Sequence, residues 1–293
     1  MAASTCPHPR HRLARVLQHL QPQGAAAVTD LLDVAAAPQL AYCADPSPEG
    51  ILGALRTEGC ALIRGVIPAT DAERLAVMLA RYTPGGAVAR EDLMRNDPML
   101  AALARPGQLG ADLIDWGKTG SAELLGTLFQ RDPAWLQLVD PSPVIDAVEL
   151  ALGDQCHLVT QKGWRNHPGH DGGGGFHTDE IFVQMPEEIA SDPRYQAPIN
   201  IVTALFYLVD VDVDLCPTWV IPNSFRSGRR PKAGETSWRD NKPTVVCAKR
   251  GDCLLFRSDV WHGGGLNTSD RHRYICETVY GARKIAQKFV SYP

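Results

Sequence analysis

The pattern of apolar positions divides the chain in two. Between residues 50 and 152, apolar side chains recur at the three-to-four spacing of amphipathic helices. One helix is expected to open at Gly50. Thr70-Asp71-Ala72-Glu73 has the form of a capping box opening a second, which runs to about Ala80 with Leu75, Met78 and Leu79 on its apolar side. Further helices are expected over 121–129 and 143–152, the latter capped by Asp140 or Ser142. Residues 83–120, rich in Pro, Gly and isolated charges, suit short helices and loops, and 60–66 is an early strand. Beyond Gly153 the pattern changes to short apolar runs separated by turn residues, at 157–161, 199–209, 218–221, 244–248, 253–256 and 274–280. Regularly spaced strands of this kind predict a jelly roll. The expected class is therefore mainly β with flanking helices, the helices packing on one sheet.

Two stretches carry candidate chemistry. Four glycines, 172–175, lead into Phe176-His177-Thr178-Asp179. They lack the Lys-Ser/Thr and helix start of a phosphate-binding loop, and let the backbone bend before His177. His177 and Asp179, two apart on an extended segment, face the same side. His262, within Asp259-Val260-Trp261-His262, completes a set of two His and one carboxylate, which suits a non-haem Fe(II) with open positions opposite. Arg273 follows His262 by eleven residues, past the turn-forming segment 267–270. His262 is thus expected to end one strand and Arg273 to begin the next, returning beside it. An Arg so placed can fork onto the distal carboxylate of 2-oxoglutarate, whose other end chelates iron. Arg271 shares the face of Arg273 by strand parity, so periodicity leaves the two open.

These residues stand in order with Glu58-Gly59-Cys60-Ala61-Leu62-Ile63-Arg64-Gly65-Val66-Ile67, Cys216-Pro217-Thr218-Trp219-Val220-Ile221-Pro222-Asn223-Ser224, and Arg250-Gly251-Asp252-Cys253-Leu254-Leu255-Phe256. Together they resemble the phytanoyl-CoA dioxygenase family of Fe(II)/2-oxoglutarate oxygenases, from about Leu52 to Tyr280. The resemblance implies a double-stranded β-helix. It implies that His177, Asp179 and His262 are the catalytic metal ligands, and that Arg273 rather than Arg271 binds the co-substrate. Gln161 and Thr203 would face the iron pocket and contact the C1 carboxylate of 2-oxoglutarate. O2 is the implied oxidant and ascorbate an accessory reductant. Trp164 and Arg165, with Lys162 and Asn166 beside them, stand where a substrate-facing rim is expected, and Phe182 lies in the loop after Asp179. Halogenating relatives carry a small residue in place of Asp179, so hydroxylation is implied, with desaturation, epoxidation and rearrangement sharing its first step. Two positions depart from the family pattern: Gly264 stands where Ser is usual, and Asn223 where Gly is commoner.

The implied reaction is hydroxylation of an unactivated C–H bond in a small molecule (a natural product, metabolite or acyl thioester), with decarboxylation of 2-oxoglutarate to succinate. The segment 180–196 is a longer excursion than the phytanoyl-CoA enzymes suggest, and would shape the pocket. An acyl-CoA substrate is therefore not carried over. Two other classes compete: a non-redox cupin-type hydrolase or isomerase using Zn(II), and a non-catalytic binding protein of the same fold.

Composition narrows the partners. With 293 residues and 44% hydrophobic content, the chain can form one large domain over 50–293 after an N-terminal extension, 1–49, helical or partly flexible. A net charge of −4 and a pI near 6.1 speak against nucleic acid and polybasic membrane contacts. No apolar run approaches membrane-span length. A small-molecule substrate is the expected partner, and the sequence carries no signal for oligomeric state. Eight cysteines without a Cys-x-x-Cys pair or secretory signal read as reduced thiols of a cytoplasmic protein. Arg12-Leu13 and His19-Leu20 frame a segment that resembles a peroxisomal targeting nonapeptide, making the peroxisome the alternative; an amphipathic helix explains the same residues.

Overall fold

Ten strands, every neighbouring pair antiparallel, make two sheets in this computed structural model, which describes residues 32, 36–82, 114–115, 122–126, 128–170, 175–179 and 184–286. The first half runs α1 (Pro48–Thr57), β1 (Cys60–Ile63), α2 (Ala69–Tyr82), β2 (Ile114–Asp115), β3 (Ala122–Gly126), α3 (Leu128–Arg131) and α4 (Val144–Leu152). The second runs β4 (His157–Asn166), α5 (Glu187–Ala190), β5 (Ile201–Tyr207), β6 (Thr218–Ile221), β7 (Thr244–Val246), β8 (Cys253–Arg257), β9 (Trp261–Gly264) and β10 (Arg273–Gly281). The large sheet has the order β1-β8-β5-β10-β4-β3-β2, and the small one β7-β6-β9. This is the expected jelly roll with its helices on one side.

Strand parity distributes the core between two layers. On β5, Val202, Ala204 and Phe206 join Ile51, Leu55, Leu75, Leu79, Trp135 and Val148 of the helical layer. Leu205 and Tyr207 turn the other way, toward Val220, Phe256 and Ile275 between the sheets. A strand apolar on both faces is covered on both, and all seven β5 residues are buried. Each fully buried Leu of α2 contributes about 1.5–3 kcal/mol, which holds that helix on β4 and β10. Gly163 sits at the closest approach: a Cβ there would lie 2.6 Å from Leu79 Cδ1. Trp219 and Trp261 belong to the core, 2% and 0% exposed.

Several local expectations change. Residues 122–126 form β3, paired with β4, where a helix was expected; pairing overrides the helical propensity of Ala-Glu-Leu-Leu. α2 begins at Ala69, so Thr70 is already inside it, and the Pro68 carbonyl accepts from the Asp71 and Ala72 amides in place of a capping box. α4 has no side-chain cap; Ser142 Oγ instead lies 2.6 Å from Asp146 Oδ2. Gln39 bridges Val245, Tyr42 bridges Leu62, and Ser47 caps α1 through the Gly50 amide, so residues ahead of position 50 belong to the packed fold. The nonapeptide 12–20 lies outside the described residues.

Candidate metal centre

His177 is brought to the small sheet by backbone pairing with β9. Its amide donates to the His262 carbonyl and its carbonyl accepts from the His262 amide, both at 2.9 Å. The Asp179 amide then donates to the Ser258 carbonyl. Extended geometry sends Thr178 into the protein, 5% exposed, and His177 and Asp179 outward to the cavity between the sheets. His262 Nε2 lies 3.4 Å, and His177 Nε2 3.9 Å, from Asp179 Oδ1. The ligand atoms of the three all fall within 4.8 Å of one another.

The neighbours of these groups orient them. His262 Nδ1 faces the Val260 carbonyl at 3.0 Å, and His177 Nδ1 the Gly175 carbonyl at 3.3 Å. With Nδ1 protonated, both rings donate to the backbone and turn an Nε2 lone pair toward the common point. Thr203 Oγ1 donates to Asp179 Oδ2 at 3.5 Å, leaving Oδ1 on the side of the imidazoles. The side chain of His262 is 10% exposed, but those of His177 and Asp179 are 55% and 37%, so this side of the centre opens to the cavity. Desolvation by the surrounding cavity walls, then the adjacent His262, pushes His177 down to about 4, which favours a neutral ligand although its ring edge is open to the cavity. Burial alone would lift Asp179, but His262, His177 and Lys162 outweigh it and hold the carboxyl at about 2. Burial opposes charge on His262 as well, yet the Asp179 carboxylate prevails and raises it.

At the far end of the same cavity, of about 540 Å³, stands Arg273. It is 4% exposed; Nη2 donates to Thr218 Oγ1 at 2.8 Å and Nη1 to Cys216 Sγ at 3.6 Å. Its Nε has no partner, and no carboxylate pairs with it among the described residues. Arg271 instead points outward to Asp214 at 3.3 Å, which separates two arginines that parity left equivalent. His262 and Arg273 do not lie on adjacent strands, as a hairpin between them would require. β9 belongs to the small sheet and β10 to the large one, so the two residues face each other across the cavity.

The other candidates divide by strand face. Trp164, Lys162 and Asn166 line the cavity. Gln161 and Arg165 lie on the opposite face of β4. Gln161, expected to meet the co-substrate, is fully buried among the helices, where its Oε1 accepts from the Phe129 amide and its Nε2 donates to the Trp135 carbonyl. Arg165, expected at the substrate rim, is 6% exposed and donates to the His272 ring. Thr203 does face the centre, but touches Asp179. Phe182 lies outside the described residues. Glu277 went unnoticed, although its parity with Arg273 on β10 places it in the cavity; so did Thr218 and Cys216, which hold the guanidinium. The two family departures have structural counterparts: Gly264 lines the cavity, and Asn223 has φ +63, the left-handed conformation that Asn tolerates and Gly prefers.

A jelly roll with a His-x-Asp and distal His triad, and a buried Arg at the far end of the cavity, has the arrangement of 2-oxoglutarate-dependent oxygenases. The sequence profile of the phytanoyl-CoA dioxygenase (PhyH) family matches residues 55–275, and the chain belongs to that family. It is 27% identical over 177 residues to the uncharacterized proteins Rv1501 of Mycobacterium tuberculosis and Mb1539 of Mycobacterium bovis, over 58% of this chain. The match spans about half, 55%, of the length of those relatives. Among solved structures, HygX from Streptomyces hygroscopicus, with nickel and 2-oxoglutarate bound, superimposes with a TM-score of 0.56 at 16% identity, over 81% of this chain and 88% of that one. The alpha-ketoglutarate-dependent epimerase SnoN of nogalamycin biosynthesis does so with a TM-score of 0.52 at 16% identity, over 80% and 83%. No helix among the described residues is long and apolar enough to cross a membrane.

Proposed function

We propose that this protein is an Fe(II)/2-oxoglutarate-dependent oxygenase that hydroxylates a C–H bond of a small molecule. The observation that carries this is Arg273, a buried guanidinium without a carboxylate partner, at the far end of a cavity whose other wall bears a His-Asp-His triad. A buried unpaired cation is costly, and a dicarboxylate spanning the cavity supplies the missing charge. The residues present fit both groups. The triad offers two imidazole nitrogens and a carboxylate oxygen with room opposite, as Fe(II) requires. Arg273 offers its unpartnered Nε and the planar fork that a carboxylate accepts.

Iron with 2-oxoglutarate supplies oxidative decarboxylation to succinate and CO2 coupled to oxidation of a bound substrate. What the chain contributes is position. Two backbone carbonyls set the imidazole tautomers, Thr203 orients Asp179, and Thr218 with Cys216 aims Arg273. Val159, Ile201 and Val279 supply apolar wall near the triad, which excludes water and seats a carbon skeleton. Asp179 fills the carboxylate position, favouring hydroxylation over halogen transfer.

The test is succinate release from 2-oxoglutarate by Fe(II)-loaded protein exposed to O2, with His177→Ala and Arg273→Ala as controls. Anaerobic charge-transfer absorbance of the Fe(II)/2-oxoglutarate complex is read on the same samples. Absence of that band in the wild type at saturating ligand would sink the proposal.

A further inference from the structure

Two of the three triad residues are held by one turn, residues 258–260, which joins β8 to β9. The Ser258 carbonyl accepts from the Asp179 amide at 3.0 Å, and the Val260 carbonyl lies 3.0 Å from His262 Nδ1. Asp179 therefore takes its backbone position, and His262 its ring orientation, from carbonyls two residues apart. What fixes the turn lies outside the cavity. Arg257 donates through Nε to Asp259 Oδ1 at 2.8 Å and through Nη2 to Asp259 Oδ2 at 2.7 Å, a fork that spans Ser258. The Val260 amide closes the turn onto the Arg257 carbonyl at 3.1 Å.

The pair is itself held in place. The Arg257 guanidinium lies over the Phe225 ring at 4.0 Å, and its amide donates to the Gly59 carbonyl at 3.0 Å. Beside Phe225, Ser224 Oγ accepts at 2.7 Å from the amide of Trp261, one residue before His262. Gly59 has φ +87, and a Cβ there would lie 2.6 Å from Val260 Cγ2, so the corner between α1 and β1 packs directly on the turn.

Stability does not account for this ion pair. The Arg257 side chain is 2% exposed and that of Asp259 27%, so both charges have lost hydration. Apolar residues of similar volume in place of a buried ion pair often leave a protein equally or more stable. What a bidentate fork adds is direction, and this one is applied where two metal-ligand positions are set. We infer that Arg257 and Asp259 are positioning residues for the metal centre. Their pairing sets the direction of the Ser258 and Val260 carbonyls, and through them the placement of Asp179 and His262. The inference rests on the reading of the triad as a metal site.

The experiment titrates the full chain with Co(II), following the d–d absorption, and measures urea unfolding of the same metal-free samples. The variants are Asp259→Asn, Arg257→Lys and the double variant Arg257→Met/Asp259→Leu. Both single variants are expected to bind Co(II) about tenfold or more weakly, with an altered d–d band, as loss of groups that orient metal ligands provides. The double variant should unfold at or above the wild-type urea midpoint and still bind Co(II) weakly with an altered band. Wild-type affinity and band in the double variant would overturn the inference, because the losses in the single variants would then report only an unpaired buried charge. A double variant that does not fold would also overturn it, by assigning the pair to the fold itself. The wild-type titration separates the two levels. If the wild type gives no Co(II) band, the metal-site reading fails; if it gives one that all three variants reproduce at equal affinity, this inference fails alone.

Discussion

Arg273 Nη2 donates to Thr218 Oγ1 at 2.8 Å, a bond that crosses from the seven-stranded sheet to the three-stranded one. The guanidinium is aimed by this bond and by Cys216, and lies over the Tyr207 ring at 6.0 Å. Lysine can reproduce its charge but not its fork. Arg273→Lys is therefore expected to raise the dissociation constant for 2-oxoglutarate about tenfold or more while leaving Fe(II) binding intact. Titration of the charge-transfer band in both proteins checks this, and equal affinities would remove Arg273 from the co-substrate site.

Loading of the metal should consume base. Asp179 raises the pKa of His262, so in the metal-free protein this ring retains its proton to higher pH than a free imidazole. Metal binding must expel that proton. Affinity for Co(II) as a spectroscopic probe should fall as pH drops through the raised pKa of His262, with a proton released per ion bound. His177, depressed to about 4, releases none near neutrality. Buffer-dependent calorimetric enthalpies measure the release, and a proton count of zero at pH 6 would contradict this assignment.

Gln161 is expected to matter for stability and not for catalysis. Replacing it with Ala removes its hydrogen bonds to the Phe129 amide and the Trp135 carbonyl, at about 0.5–1.5 kcal/mol each. Urea unfolding should show the loss, while 2-oxoglutarate affinity of the folded variant stays at the wild-type value. A large affinity change without destabilisation would return Gln161 to the site.

Asn223 provides a backbone test. At φ +63, Asn223→Gly should be tolerated within about 0.5 kcal/mol, whereas Asn223→Val should cost about 1–2 kcal/mol or more, because a β-branched residue resists the left-handed region. Thermal unfolding of the two variants distinguishes them.

Much of this arrangement was legible in the sequence wherever a single strand carried the signal. His177, Asp179 and His262 follow from parity and residue type, and the second-half strands fall at or near their apolar runs. What escaped depended on which strand pairs with which. A short turn between His262 and Arg273 suggests a hairpin, but the chain crosses to the other sheet, and spacing alone cannot report a sheet change. Residues 122–126 carry helical side chains and become a strand because β4 offers an open edge. Gln161 illustrates the sensitivity of period-two structure: one step along β4 separates a cavity-lining Lys162 from a side chain locked among the helices.

The reciprocal amide bonds between His177 and His262 make two of the three ligand positions a single mechanical unit. Their spacing is set by peptide geometry, through main-chain bonds at 2.9 Å. A ligand pair joined by its own main chain moves as one body, so any displacement of β9 carries both imidazoles together.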